Sequence, residues 1–172
     1  MRYLSVTAAL GLTLLTLSTS LSGQRPDDQV DPRSVALLEK GKAARAAGNL
    51  QGATDLVETA LVVDPRNRPA FLVLAEVARA QNLPGKAIRL YREALVLEPN
   101  DIAALKGQGE AMVQKGAVEK AKENLARIQK LCPKTCVEGT TLAAVIAKGP
   151  PVMSATAQVA RQDAQDKAAA KN

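Results

Sequence analysis

Two cysteines stand four positions apart in the stretch LCPKTCVEG, residues 131–139, and they are the only cysteines of a 172-residue chain that has no histidine. Those counts limit what the pair can do. A zinc site wants four ligands, and two thiolates without an imidazole fall short of it. Covalent haem needs Cys-x-x-Cys-His, which is absent. A redox centre of the thioredoxin kind opens a helix with Cys-x-x-Cys beside a βαβ unit; here three residues intervene and no strand pattern surrounds them. Elsewhere, the lack of histidine rules out Ser-His-Asp and Cys-His arrangements, nothing singles out a Ser-Lys pair, and no glycine-rich phosphate loop is present. No catalytic residue, metal or cofactor is therefore assigned. Cys132 and Cys136 are left with a structural disulfide or, as the alternative, thiol-disulfide exchange.

The choice between those two depends on the compartment. The chain opens MRYLSVTAALGLTLLTLSTSLSGQ, with one Arg before an uncharged apolar run that gives way to small residues. That layout predicts a signal peptide over residues 1–23, cleaved after Ser20, Ser22 or Gly23. Gln24 stands where a lipoprotein signal requires Cys, which disfavours lipid attachment. The alternative is a retained membrane anchor, since about 20 residues span a bilayer, but four Ser and four Thr between positions 5 and 22 make a poor permanent span. Export to the periplasm or beyond, together with the even cysteine count, favours the structural disulfide. The formal charge of +6 loses only Arg2 with that segment. This excess mildly favours acidic partners or anionic lipid headgroups. The remaining cations are interleaved with acids and lack the stacking aromatics of a nucleic-acid surface, so they read as solvated.

What must position the cysteines is set by a period. Pro65, Pro99 and Pro133 are spaced 34 residues apart, and Ala53, Ala87 and Ala121 keep the same interval. So do Gly41, Ala75 and Gly109, and Gly48, Asn82 and Gly116; ALVVDPRN at 60–67 answers ALVLEPND at 94–101. Such repetition fixes architecture before local structure is read. The apolar residues are mostly Ala, Leu and Val, with Tyr3, Phe71 and Tyr91 the sole aromatics, a composition for close-packed helices. Each unit reads as two helices. In the second, Phe71, Leu74, Ala75 and Ala78 keep helical spacing up to Asn82, a residue that tolerates a left-handed cap. Pro84 then opens a helix whose apolar stripe is Ala87, Ile88, Tyr91, Ala94 and Leu95. Gly48 and Gly116 stop the matching helices, the three prolines end each second helix, and DPRN or EPND starts the next unit. Small residues at the fixed positions let helix axes approach closely.

These features resemble the tetratricopeptide repeat (TPR) family. Its eight usual positions fall on Leu37, Lys40, Gly41, Ala44, Ala53, Val57, Ala60 and Pro65 in the first unit. In the second they fall on Phe71, Leu74, Ala75, Ala78, Ala87, Tyr91, Ala94 and Pro99. The third gives Leu105, Gln108, Gly109, Met112, Ala121, Leu125, Ile128 and Pro133. Lys40 and Gln108 depart from the family's Leu. The resemblance implies an all-α solenoid of three TPR helix pairs, at 34–67, 68–101 and 102–135, closed by a capping helix.

CVEGTTLAAVIAKG supplies that cap over 136–149, with Leu142, Ala143, Ile146 and Ala147 on one stripe ending at Gly149. Cys132 then lies in the turn closing the third repeat and Cys136 starts the cap. A bridge across five residues contributes about 2 kcal/mol through chain entropy, so its role is local. The pair also resembles the ends of small exported bacterial TPR proteins. Residues 24–33 read as a flexible leader, and 150–172, rich in Ala, Gln and Lys, as a mobile tail.

The family's groove positions imply where a partner binds: Leu38, Lys42 and Arg45 from the first repeat, Leu72, Glu76 and Arg79 from the second, Lys106, Glu110 and Gln114 from the third. That mixed surface suits an extended peptide or partner helix. TPR modules that grip the acidic tail of cytosolic chaperones use Lys and Asn in the first repeat, Asn in the second, and Lys with Arg in the third; the matching positions here are Leu38, Lys42, Val73, Ala103 and Lys106, and Lys106 alone carries a suitable group. The reading is an exported, non-catalytic protein–protein adaptor of the bacterial envelope. Its partner is a protein or peptide, not nucleic acid, and it touches membrane only if the first 23 residues are retained.

Overall fold

The computed structural model describes residues 29–132 and 136–151. The signal-peptide reading, most of the leader, Pro133 and the tail beyond Pro151 lie outside these. Seven helices and no strand occur among the described residues: α1 Pro32–Ala46, α2 Leu50–Val63, α3 Arg68–Ala80, α4 Pro84–Leu97, α5 Ile102–Lys115, α6 Val118–Leu131 and α7 Val137–Lys148. None of them is long and apolar enough to cross a membrane.

Local chemistry accounts for the helix ends. Asn67 caps α3 by accepting from the Ala70 amide at 3.3 Å, and Asp101 caps α5 by accepting from the Ala104 amide at 2.9 Å. Within each pair the chain turns through one left-handed residue, Gly48 (φ 78°), Asn82 (φ 58°) and Gly116 (φ 90°), where Gly and Asn are the residues that tolerate positive φ.

The leader ends earlier than expected. Asp31 is buried and caps α1, its carboxylate accepting from the Arg33 amide at 2.8 Å, while Pro32 occupies the first helical turn. The Asp31 amide donates to Asp64 Oδ2 at 2.8 Å, and Arg66 Nη2 donates to the Gln29 carbonyl at 3.1 Å. Residues 29–33 thus belong to the first repeat. An Asp-Pro pair is itself a helix start signal, and Asp64 holds it.

The helices pack as α1 on α2, α3 on α4 and α5 on α6, with the second helix of each pair against the next pair and first helices adjacent to one another. That is the expected solenoid. Its core is a series of joints, not one centre. Leu38, Val57, Ala60, Ala70, Val73 and Leu74 fill the first; Ala75, Ala78, Ala87, Tyr91, Ala94, Ala104 and Ala111 the second; Leu105, Ile128 and Leu142 the third. α7 packs on both α5 and α6, taking the place a first helix would have in a further repeat.

Close approach explains the small residues. A Cβ on Gly107 would run into the Tyr91 ring, and one on Gly109 would lie 2.7 Å from Leu142 Cδ2. The two departures from the family's Leu have separate causes. Lys40 is exposed, because among the described residues α1 packs only on α2 and α3 and no helix covers its other side. Gln108 is buried and its amide is used: Nε2 donates to the Ile88 carbonyl at 3.3 Å, and Oε1 accepts from Asn124 Nδ2 at 3.0 Å. Asn124 also donates to the Leu105 carbonyl at 3.0 Å, so the third repeat exchanges an apolar contact for a satisfied polar link across α4, α5 and α6.

Cys132 and Cys136 are joined in a disulfide, with Cα atoms 6.0 Å apart. Both pack against the third joint beside Leu105, Ile128 and Leu142.

Candidate binding groove

The first helices α1, α3 and α5 carry the nine groove positions, and the structure separates them into three kinds. Leu38 does not line the groove; it is 3% exposed and sits in the first joint against α2 and α3, so its assignment to the partner surface is corrected. A leucine there faces the next repeat, where burial is worth about 2 kcal/mol. Leu72 points the same way, half-buried against the second joint.

The charged positions are largely engaged with one another. Arg45 pairs with Glu76, and Arg79 with Glu110, each ion pair joining one first helix to the next across 31 residues. Glu110 is 8% exposed and also has Lys106 Nζ 3.9 Å from Oε1. Beneath these lies Tyr91, whose burial pushes its hydroxyl pKa up while the adjacent Arg79 pulls it down. Lys42 pairs with Glu39 on its own helix at 2.7 Å. Gln114 Nε2 donates to Asn82 Oδ1 at 3.1 Å, tying α5 to the turn after α3.

The Arg–Glu pairs form rungs, and the rungs stop. One repeat beyond Arg79 and Glu110, the chain has Val113 and Ala144. Where a third ion pair would stand, between α5 and α7, the groove opens into a pocket of about 640 Å³. Four predicted positions line it: Glu76, Arg79, Glu110 and Gln114. Ala80, Val113 and Val145 make its lining mostly apolar, and Lys148, Gly149, Pro150 and Pro151 close its far side. Lys42, Arg45, Leu72 and Lys106 are not among its lining residues.

The wall supplied by α7 and the residues after it was missed in the sequence, where this helix reads as a cap alone. A signal for it existed. Ala80, Gln114 and Lys148 are 34 residues apart and all three line the pocket, so extending the period into 136–149 places α7 in the groove.

The Tetratricopeptide repeat family profile matches residues 38–102 and 72–134, together more than half of the chain. The chain belongs to the tetratricopeptide repeat family. No curated protein matches this TPR chain. Among solved structures, it is similar to the TPR domain of Sgt2 from Aspergillus fumigatus, at 22% identity and a TM-score of 0.63, covering 72% of this chain and 89% of that one. It is similar also to the first TPR of Spaghetti (RPAP3) bound to the HSP90 peptide SRMEEVD, at 22% identity and a TM-score of 0.62, over 67% and 91% of the two chains. A third likeness is to the Yersinia enterocolitica type III secretion chaperone SycD in complex with a peptide of the translocator YopD. There the identity is 20%, the TM-score 0.58 and the coverage 66% and 86%. At these identities the likeness establishes the TPR fold.

Proposed function

We propose that this TPR protein is a non-catalytic adaptor of the bacterial cell envelope that holds a peptide or partner helix against its first helices, with an apolar anchor in the α5–α7 pocket. The observation that carries this reading is the break in the Arg–Glu rungs, which leaves a mostly apolar recess with polar groups at its rim. Apolar anchors with polar flanks are how grooves of this kind gain both affinity and register. Two of the similar structures hold peptides, from HSP90 and from YopD. The acidic chaperone tail does not suit this chain, since Leu38 and Val73 are buried where that tail would need cationic or amide groups. The envelope assignment rests on the N-terminal segment and the disulfide.

The disulfide serves as a brace in this reading. Its sulfurs pack into the third joint and fix how α7, the groove's end wall, leaves α6. A reduction potential below about −300 mV is expected; a value near −200 mV would instead support thiol exchange.

The groove is tested by photo-crosslinking in the native cell, with the crosslinker placed at Gln114 in the groove or at Arg92 on the second helix of repeat two. The reading expects adducts to another protein from position 114 and not from 92. Adducts from 92 alone would overturn it.

A further inference from the structure

We infer that Lys148 selects the partner: the segment held in the groove carries an Asp or Glu side chain beside the apolar residue that fills the α5–α7 pocket. This deepens the groove reading above and rests on it. The inner face is not neutral. Arg45, Arg79, Lys106 and Lys148 stand there against two acids, Glu76 and Glu110. Glu76 is taken by Arg45, and Glu110 by both Arg79 and Lys106, whose Nζ lies 3.9 Å from Oε1. Lys148 lines the same pocket, and among the described residues it has no ion-pair or hydrogen-bond partner. Nor is its ammonium spent on the end of its own helix. The Gly149 amide donates to the Val145 and Ile146 carbonyls at 3.2 and 3.1 Å, so backbone closes α7 and the Lys148 side chain stays exposed.

The repeat explains why this cation is unmatched. Glu76 and Glu110 have Ala144 as their counterpart in α7, so the acid that would sit one turn before Lys148 is missing. Lys148 itself stands in register with Ala80, which has no polar side chain, and with Gln114, whose amide is used by Asn82. The cation therefore enters at one end of the groove only, beside the recess formed by Ala80, Val113 and Val145. An apolar side chain seated in that recess leaves the next residues of its own chain at the rim, where Lys148 is exposed. A carboxylate at a wet rim keeps most of its hydration, whereas one carried onto the apolar floor loses it. The acid is thus a side chain flanking the anchor and not a chain terminus lowered into the recess. One acid suffices, because the other inner cations are already paired. A rim pair of this kind sets register and choice of partner more than affinity.

The test is selection from a random peptide library against the purified full chain, with the peptides displayed inside a carrier loop so that neither end is free. The parent is expected to enrich sequences with an apolar residue and an Asp or Glu within one helical turn of it. Lys148→Glu should keep the apolar residue and exchange the acid for Lys or Arg. For one enriched peptide, synthesised with both ends blocked, Lys148→Met should weaken binding about two- to five-fold at low salt. That loss should vanish when the peptide's acid is replaced by its amide. Apolar anchors enriched without an acid, or the same acids chosen by Lys148→Glu, would overturn the inference and leave the groove reading standing. A parallel library with free C-termini separates the two sources of carboxylate. Enrichment there and not in the loop library would assign Lys148 to a chain terminus and overturn the side-chain form. If neither library yields peptides whose binding is lost with Val145→Asp and, on another helix, Ala80→Asp, the groove reading itself fails and the inference with it; circular dichroism of both variants reports that the helices persist.

Discussion

Asp64 fixes the start of the solenoid. Its carboxylate accepts from the Asp31 amide, from the Arg66 amide at 3.0 Å and from the Arg66 guanidinium at 3.2 Å, and the Arg66 side chain is the main cause holding its pKa down to about 2. Between that value and the ordinary carboxylate pKa near 3.9 the unfolded chain binds the extra proton, so stability rises with pH across the interval. The contribution is therefore complete above about pH 4 and lost as pH falls toward 2. In urea unfolding, Asp64→Asn is expected to be less stable than the parent at pH 5, with the gap closing by about pH 2. A second residue-scale test concerns the glycines. Gly107→Ala gains up to about 1 kcal/mol of helix propensity but meets the buried Tyr91 ring, and overpacking of this kind costs about 1–3 kcal/mol. Thermal melts should show Gly107→Ala destabilised and Gly85→Ala, where nothing lies within 4 Å, unchanged or slightly stabilised.

At the scale of the helix pair, the 34-residue period made the fold legible. Prolines, left-handed turn residues and small packing positions all recur on one beat, so local and global signals agree. The period could not say which neighbour a side chain faces. Leu38 and Leu72 point along the solenoid into the joints, although family position alone put them in the groove. Nor could it show why Lys40 and Gln108 replace Leu, because one answer is that among the described residues no helix covers that side of α1 and the other is Asn124, 16 residues away. The polar link predicts strong coupling. Asn124→Leu strands the buried Gln108 Oε1 and should cost about 1–3 kcal/mol. Adding Gln108→Leu should restore most of that, and a double-mutant cycle by chemical denaturation reads the difference. Additive losses would contradict the linked network.

Over the whole molecule, the candidate site was only half legible. Glu76, Arg79, Glu110 and Gln114 came from the repeat, but the apolar end wall did not, because α7 reads in sequence as a solubilising cap. Its second role follows from stacking: the last helix covers the third joint with Leu142 and simultaneously presents Val145 and Lys148 to the groove. The Cys132–Cys136 bridge has its consequence here. Replacing both cysteines with Ala should loosen α7, seen as faster amide exchange over Val137–Lys148, and leave α1–α4 unchanged. The central claim is that the concave end pocket, and no other face, recruits the partner. Quantitative affinity capture from the native cell with the parent protein, with Val145→Asp in the pocket and with Arg92→Glu outside it tests this most directly. The expected result is that the proteins held by the parent are lost with Val145→Asp and retained with Arg92→Glu. If every one of them remains with Val145→Asp, the pocket is not the binding site.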